Sequence, residues 1–257
     1  MLFRKNGCDP MFPESFKTHI EMIGELNFKK KISENRAVSK WKTNVCTLCQ
    51  HKFTKKQISN SPNCPSCTAR ERTRAMPIML YYIQDLIKSW SEEEIIAFAF
   101  AGIEKRVLEP YIDKYTSVSL YGNYGANSIE GVDVRDLSRF RDSQFGGTFS
   151  SLLFDYFVEH DVALKELNRV IKKGGVFVTH CSMARLVDST YVPINQRKVI
   201  TKKGGMEYIG SNEMYTVKFG KNWFCDALDR NGFEPGMLAI RDTITKAYQI
   251  YYIGIKR

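Results

Sequence analysis

The chain has 257 residues, of which 43% are hydrophobic, 12% aromatic and 26% charged. This composition excludes a mostly disordered or low-complexity protein and supplies enough apolar side chains for a sizeable core. The formal net charge of +10 is unevenly distributed along the chain. Residues 1–75 hold 15 Lys and Arg against 6 Asp and Glu, a net charge of +9, whereas residues 76–257 hold 23 against 22. The basic character therefore belongs to the N-terminal part.

The sequence carries no sign of a membrane or secretory protein. It has no run of about 18 apolar residues, which predicts no membrane-spanning helix and no membrane partner. The N-terminal sequence turns polar at Arg4, too early for a secretory signal. Four of the seven cysteines form two CxxC pairs, which indicates thiolate chemistry in a reducing compartment. We therefore expect a cytoplasmic protein.

The predicted elements begin with an amphipathic helix between Pro13 and Glu34, where apolar residues recur at helical spacing. Two CxxC pairs follow, separated by 14 residues. Each CxxC turn directs two sulfurs at one centre, so two turns supply four tetrahedral thiolate ligands for a structural Zn²⁺. An iron–sulfur centre is the alternative that this donor set leaves open. The predicted metal ligands are Cys46, Cys49, Cys64 and Cys67.

Three lysines lie in the loop between the two CxxC pairs, Lys52, Lys55 and Lys56. We interpret these lysines as a solvated hairpin tip. Their positive charge would partly offset the net negative charge of four thiolates around one divalent ion. The alternative is an electrostatic contact with phosphate, through which residues 1–75 would bind RNA.

After the cysteines, short apolar runs alternate with helical patterns. Predicted helices lie at residues 69–90, 104–114, 161–171 and 223–231. Predicted strands lie at residues 94–101, 116–121, 149–154, 175–179, 237–241 and 247–255. The alternation predicts an α/β fold with a doubly wound, mostly parallel, Rossmann-like sheet, and the last two strands predict an antiparallel edge. We expect two domains, a basic N-terminal helix with a four-cysteine zinc module at 1–75 and an α/β domain at 76–257.

Residues 159–175 begin with a Glu-His pair and continue through Ala-Leu-Lys-Glu-Leu-Asn-Arg-Val-Ile-Lys-Lys-Gly-Gly. This stretch resembles the pattern of class I S-adenosylmethionine-dependent methyltransferases and departs from it only at Ile171 and Lys173. The second CxxC pair reads Cys-Pro-Ser-Cys and is followed by an Arg-x-Arg motif, which is similar to the zinc-ribbon-bearing branch of that family. Three further segments extend the resemblance, so that it covers roughly residues 46–235: 132–137, 217–220 and 231–233.

The resemblance implies a site for S-adenosylmethionine beyond the carboxyl ends of the strands. Asp136 is expected to accept a hydrogen bond from the adenine amino group. His160 is the candidate catalytic base, and a structural role for the Glu-His pair is the alternative. The residues expected to contact the cofactor are Phe100, Gly102, Tyr121, Asp136, Leu137 and Phe154. Those expected to contact the substrate are Asp155, Tyr156 and His180.

Two departures from the family affect the expected cofactor site. The first loop contains a single glycine, Gly102, and the second strand ends in Tyr121-Gly122-Asn123 without the carboxylate that usually binds the ribose hydroxyls. We predict a methyltransferase that acts on a small molecule or on a sugar or glycan-type acceptor. The departures leave open a non-catalytic binding protein of methyltransferase fold, and the basic residues 1–75 leave open an RNA methyltransferase.

Overall fold

The computed structural model describes residues 44–54, 56–57, 63–100, 102–122, 128–181, 223–242, 244–245 and 247–257, and the backbone of four short strands between 192 and 218. The helix predicted between residues 13 and 34 lies outside the described residues. The described α-helices are α1 Glu71–Ile83, α2 Gly102–Leu108, α3 His160–Val170 and α4 Trp223–Arg230. Shorter 3-10 helices lie at Lys88–Ser91, Glu109–Tyr111 and Phe154–Tyr156.

The described strands run from β1 to β11. They are β1 Glu94–Phe98, β2 Lys114–Ser119, β3 Ser128–Glu130, β4 Phe145–Ser151, β5 Ile171–Cys181, β6 Val192–Pro193, β7 Lys198–Ile200, β8 Glu207–Ile209, β9 Val217–Lys218, β10 Phe233–Arg241 and β11 Tyr248–Lys256. Two short antiparallel pairs are formed by β6 with β9 and by β7 with β8.

Seven strands form one sheet in the order β10-β11-β5-β4-β1-β2-β3. The pairs β1–β4, β4–β5 and β2–β3 are parallel. The chain builds outward from β1 to β3 and then returns to β4 on the other side of β1, so the strand order reverses between β1 and β4. The loop between β10 and β11 is too short for a parallel crossover, which makes this edge pair an antiparallel hairpin. The predicted Rossmann-like α/β fold is therefore confirmed as a mixed sheet of seven strands with helices.

A close approach of backbone explains one glycine in the centre of this sheet. The register between β4 and β5 is irregular between Phe145 and Gly147. A Cβ atom on Gly175 would lie 2.5 Å from Cγ2 of Ile171 and 2.8 Å from the carbonyl oxygen of Gly146. Glycine at position 175 therefore lets β5 lie against β4 at this irregularity.

Contacts divide the chain into two compact units. The cysteine unit comprises the described residues of Met1–Glu93, Ala101–Lys114 and Met237–Tyr251. The sheet unit comprises those of Glu94–Phe100, Tyr115–Gly236 and Tyr252–Arg257. The two-domain division expected at residues 75 and 76 stays a prediction.

The core of the sheet unit is rich in aromatic side chains. The Phe224 ring lies 5.0 Å from Phe154 and 4.8 Å from Tyr252, measured between ring centroids. Phe177 lies 5.8 Å from Phe154 and 5.7 Å from Phe233. Edge-to-face and offset contacts at these distances stabilise a core beyond the area that they bury. This cluster packs α4 against β5, β10 and β11.

Three local predictions differ from the structure. The helix predicted at residues 69–90 is shorter, since α1 spans Glu71–Ile83 and a separate 3-10 helix follows at Lys88–Ser91. The short strand β3 is absent from the predicted elements, because three residues carry no periodicity. The helix predicted to begin at Asp161 begins at His160, and the Asp161 carboxylate accepts hydrogen bonds from Arg230 and Asn231.

Candidate functional site

The two CxxC turns have the same backbone geometry. The N–H of Gln50 donates to the carbonyl of Cys46 at 3.0 Å, and the N–H of Thr68 donates to the carbonyl of Cys64 at 2.8 Å. Gln50 and Thr68 also adopt the same left-handed conformation, with φ of 60° and 61°. A left-handed residue after the second cysteine closes each turn, so that both of its sulfurs point to the same side. The structure therefore contains two equivalent knuckles.

The four sulfur atoms of these knuckles lie within 4.8 Å of one another. The Sγ atoms of Cys46 and Cys67 are 3.7 Å apart, and those of Cys49 and Cys64 are 3.5 Å apart. Four thiolates in a tetrahedron around Zn²⁺ at about 2.3 Å would be separated by about 3.8 Å. A disulfide would require about 2.05 Å, so the spacing fits a common metal and not a covalent bond.

The cluster is shielded from water by an apolar shell within the cysteine unit. Burial raises the pKa of the Cys46 thiol to about 11, and the neighbouring sulfurs act in the same direction. Burial also acts to raise the pKa of Cys49, but hydrogen bonds from the His51 backbone and neighbouring side chains lower it to about 7. The buried apolar residues around the sulfurs are Phe53, Ala69 and Ile244, with Leu48 and Ile103 packed against them.

A buried ion pair ties the knuckles to the β10–β11 loop. The Arg74 guanidinium donates to both carboxylate oxygens of Asp242 at 2.8 and 2.7 Å, and neither side chain is exposed. Arg74 also donates to the carbonyl of Ala69, directly after the second knuckle, and Thr47 of the first knuckle donates to the carbonyl of Arg74. Arg74 therefore links the two knuckles to each other.

In the sheet unit, the parallel strands β1, β4 and β5 end at the same edge of the sheet. Ala99 follows β1 with φ of 49°, and Leu152 follows β4 with φ of 60°. A non-glycine residue in this region costs free energy and is often found at binding sites. The N–H of Leu152 donates to the carbonyl of His180 at 2.7 Å, which joins the turn after β4 to β5. Both central strands therefore end in sharp turns at the edge where strand order reverses.

The segment 133–142 is tied to helix α3 by hydrogen bonds and ion pairs. The N–H of Leu137 donates to Oε2 of Glu166 at 2.8 Å. Arg169 donates to the carbonyls of Leu137 and Phe140, each at 2.9 Å, and its guanidinium also pairs with Glu166 and Asp142. Glu166 and Arg169 are therefore positioning residues for the segment that contains Asp136, a role that the sequence did not reveal.

A second ionic group holds the start of the same segment. The Arg135 guanidinium pairs with Asp133 at 2.6 Å and with Glu159 at 2.9 Å. Burial alone would raise the pKa of the Asp133 carboxyl, but hydrogen bonds from Arg135 keep it below its ordinary value. Arg135 also lies 5.6 Å above the Phe157 ring. Glu159, the first residue of the Glu-His pair, thereby supports the segment 133–142.

The predicted cofactor residues differ in their accessibility. Phe100, Leu137 and Phe154 are buried in the sheet unit, and Tyr121 is half-buried. Asp136 is exposed, and hydrogen bonds from Ser138 lower the pKa of its carboxyl. Gly102 is exposed and belongs to the cysteine unit.

Glu130 is an acidic residue that sequence reasoning missed. It ends β3, in parallel register with Ser119 at the end of β2. Its Oε1 atom accepts a hydrogen bond from the N–H of Gly122 at 3.0 Å. The turn after β2 lacks a carboxylate in its own sequence, but a carboxylate from β3 lies against it. Only the pairing of two strands separated by a loop reveals this contact.

His160 is buried among aromatic rings. Its ring centroid lies 5.1 Å from Phe157, 5.3 Å from Trp223 and 6.1 Å from Phe154. Its Nε2 atom lies 2.8 Å from the carbonyl oxygen of Phe154, which can only accept a hydrogen bond, so Nε2 carries the proton. Burial lowers the pKa of His160 to about 4. This geometry favours the structural interpretation of the Glu-His pair, and the general-base role stays a prediction.

Burial of His160 predicts a pH dependence of stability. The unfolded chain gains a proton below pH 6.5, whereas the folded protein does so only near pH 4. Protonation of His160 therefore does not affect the free energy of unfolding above pH 6.5. As the pH falls from 6.5 towards 4, the free energy of unfolding decreases by about 3 kcal/mol. Urea unfolding at several pH values should show this decrease in wild type and a smaller decrease in His160→Gln. If the free energy of unfolding depends on pH equally in the two proteins, His160 is not buried in its neutral form.

Of the predicted substrate residues, Asp155 and Tyr156 follow β4, and His180 lies in β5, one residue before its end. Asp155 is fully buried, His180 is 6% exposed and Tyr156 is half-buried. The Asp155 carboxylate lies close enough to Cys181, next to His180, to act with burial in raising the pKa of that thiol. The structure therefore places Asp155 near the end of β5, and contact of any of the three residues with substrate stays a prediction.

Residues 116–179 match the family model described as a methyltransferase domain. The match covers β3, β4 and α3 completely and most of β2 and β5, and it includes Asp136, Phe154 and His160. The match spans about a quarter of the chain, and it supports an enzyme of the S-adenosylmethionine-dependent methyltransferase class. No curated protein sequence matches the chain at a significant level.

Three of the solved structures that are similar to this chain are as follows. DesVI from Streptomyces venezuelae is 13% identical, with a TM-score of 0.48 over 71% of this chain and 92% of that chain. An S-adenosylmethionine-dependent methyltransferase from Mesorhizobium loti is 11% identical, with a TM-score of 0.48 over 68% and 95%. Another, from Clostridium acetobutylicum, is 11% identical, with a TM-score of 0.48 over 73% and 92%.

Among the described residues, no helix combines the length and the hydropathy that are needed to cross a membrane.

Proposed function

We propose that this protein is an S-adenosylmethionine-dependent methyltransferase that acts on a small-molecule acceptor of sugar or glycan type. The match of residues 116–179 to a methyltransferase domain carries this proposal. It is supported by the reversal of strand order between β1 and β4, where α/β folds of this kind bind ligands. A small-molecule acceptor agrees with the near-neutral charge of residues 76–257.

The residues at the sheet edge offer groups that suit the parts of S-adenosylmethionine. We propose that the exposed Asp136 carboxylate accepts a hydrogen bond from the adenine amino group. Glu130 lies against the turn after β2 and can provide the acidic acceptor for ribose hydroxyls that this turn lacks. When bound, S-adenosylmethionine supplies an electrophilic methyl group, and the enzyme contributes chiefly by holding acceptor and methyl in line.

We also propose that Cys46, Cys49, Cys64 and Cys67 hold a structural Zn²⁺. The tetrahedral sulfur spacing and the two equivalent knuckles support this metal site. Four protein ligands leave no open coordination position, so the ion would stabilise the cysteine unit and take no part in the reaction.

Substitution of Asp136 by asparagine should weaken cofactor binding. Asparagine keeps the size of the side chain but replaces the charged acceptor by a neutral one, which weakens hydrogen bonds to the ligand. We expect the Kd for S-adenosylhomocysteine to rise about tenfold, as for the loss of one charge-assisted hydrogen bond. Asp229→Asn, at an exposed carboxylate on α4 paired with Arg257, is the matched control and should bind as wild type does. Equal Kd values for the two variants would reject the role of Asp136.

The acceptor is tested with tritiated S-adenosylmethionine. Zinc-loaded protein is incubated with small-molecule extracts and, separately, with total RNA, and the transferred label is counted. We expect label in small sugar-containing products. RNA is the second candidate, favoured by the net charge of +9 on residues 1–75, and label in RNA alone would select it. Cofactor binding without transfer to either pool would favour the non-catalytic alternative.

A further inference from the structure

The two knuckles place their cysteines at equivalent positions. In each knuckle, the N–H of the first cysteine donates to the carbonyl five residues later, at 2.9 Å. The first cysteines, Cys46 and Cys64, are buried, at 0% and 1% exposure. The second cysteines, Cys49 and Cys67, are half-buried. Each knuckle therefore carries one cysteine that is closed to solvent and one that is partly open to it.

Two close sulfur contacts cross from one knuckle to the other. Sγ of Cys49 lies 3.5 Å from Sγ of Cys64, and Sγ of Cys67 lies 3.7 Å from Sγ of Cys46. The half-buried cysteine of each knuckle therefore faces the buried cysteine of the opposite knuckle. Each pair would have to approach by less than about 2 Å to form a disulfide, whose bond is about 2.05 Å long.

Contacts outside the sulfurs also hold the knuckles opposite each other. The Thr47 hydroxyl of the first knuckle donates to the carbonyl of Arg74 at 2.6 Å. The Arg74 guanidinium donates to the carbonyl of Ala69, next to the second knuckle, at 2.6 Å, and it is fixed by the buried pair with Asp242. The two crossed pairs are therefore kept opposite each other by contacts that involve no sulfur.

We propose that Cys49 and Cys67 are oxidation sites for hydroperoxides, each resolved by the buried cysteine that faces it. Oxidation selects cysteines that are accessible and have thiolate character, and a sulfur that holds a metal ion is a thiolate. The two half-buried cysteines meet both conditions, and each has a resolving sulfur beside it. Their assignment rests on the proposed metal site, and it requires no methyl transfer.

The reaction with hydrogen peroxide balances at one peroxide for each disulfide. The Cys49 thiolate attacks a peroxide oxygen, so that an S–O bond forms, the O–O bond breaks and hydroxide leaves. The Cys64 thiolate then attacks the oxidised sulfur, so that the S–S bond forms, the S–O bond breaks and a second hydroxide leaves. The two sulfurs are oxidised and the peroxide is reduced. Cys67 and Cys46 react in the same way with a second peroxide.

Oxidation removes the ligands of the proposed zinc site. The first disulfide leaves two thiolates and the second leaves none, whereas a structural zinc site is held by four protein ligands. The metal ion is therefore released. Because both disulfides cross between the knuckles, the oxidised knuckles stay covalently joined after the metal has left. A thiol reductant with added zinc should restore the site.

Peptide mapping of zinc-loaded wild-type protein after treatment with hydrogen peroxide tests this proposal. Free thiols are alkylated, and trypsin then separates the knuckles into the peptides 43–52 and 57–70, each of which contains two cysteines. We expect mass spectrometry to find these two peptides joined by disulfides. About one zinc ion per chain should be released in parallel. Reduction should separate the peptides, and added zinc should bind again.

Cys225→Ser is the control variant. Cys225 is half-buried, as Cys49 is, but it belongs to the sheet unit and is not one of the four clustered cysteines. This variant should give the same joined peptides and the same zinc release as wild type. Loss of the joined peptides in Cys225→Ser would contradict resolution within the cluster. Joined peptides that occur only in disulfide-linked dimers on a non-reducing gel would contradict it as well.

The arrangement of disulfides decides the outcome. Two separate peptides, each lighter by two hydrogens, would show disulfides within the knuckles and overturn the proposal. Zinc and four free thiols that persist in excess peroxide would also overturn it. Protein purified without metal that still gives the joined peptides would reject the zinc site and support the oxidation sites. Failure of methyl transfer would leave the joined peptides unchanged, so the two proposals are tested separately.

Discussion

Substitution of Cys46 by serine is expected to reduce the zinc content of the purified protein from about one ion per chain to nearly none. Serine keeps the size of the side chain but removes one thiolate from a cluster whose sulfurs lie 3.5 to 4.8 Å apart. Binding of a structural Zn²⁺ contributes about 10 kcal/mol or more to folding of small modules. Because the cysteine unit surrounds this cluster, Cys46→Ser should also lower the thermal midpoint of unfolding steeply.

Cys225→Ser is the matched control. Cys225 lies on α4 in the sheet unit and is not one of the four clustered cysteines, and burial raises its pKa to about 12. This variant should keep its zinc. Elemental analysis of freshly purified protein measures both variants and wild type. Iron in place of zinc would select the iron–sulfur alternative, and wild type without any metal would reject the site.

Replacement of Asp242 by asparagine should destabilise the protein by about 3–5 kcal/mol, the usual cost of removing one partner from a buried ion pair. Asparagine is nearly the same size, so the change leaves the Arg74 guanidinium buried and without its counter-ion. The carboxylate also accepts hydrogen bonds from the N–H of Thr245 and from its hydroxyl, at 2.7 and 2.9 Å. The β10–β11 loop therefore loses its anchor to the knuckles.

Urea unfolding of zinc-loaded protein measures this effect. Glu109→Gln breaks an exposed pair in the same unit and should cost less than about 1 kcal/mol. Asp242→Asn should unfold at a clearly lower urea concentration than this control. If the two variants have the same midpoint, the Arg74–Asp242 pair does not stabilise the fold as proposed.

Features with a local or periodic signal could be predicted from the sequence. The CxxC spacing predicted both knuckles, because two cysteines three residues apart fix their own turn. The alternation of apolar runs and helical patterns predicted the mostly parallel sheet and its antiparallel edge. Element ends were less accurate. Phe154, expected at the end of a strand, lies in the 3-10 helix that follows β4.

Contacts between residues that are far apart in the sequence could not be predicted, because they leave no local or periodic pattern. Arg74 and Asp242 are separated by 168 positions, and nothing in either segment predicts that they pair. The contact of Glu130 with Gly122 depends on the pairing of β2 with β3, a strand too short to show periodicity. Glu166 and Arg169 were visible as part of a family pattern, but their role in holding the segment 133–142 required the position of α3.

Binding of S-adenosylmethionine by this chain is measured by isothermal titration of zinc-loaded, folded wild-type protein with S-adenosylmethionine and, separately, with S-adenosylhomocysteine. We expect saturable heat with both ligands and one binding site per chain. No heat with either ligand would mean that the chain has a methyltransferase-like fold but does not use the cofactor.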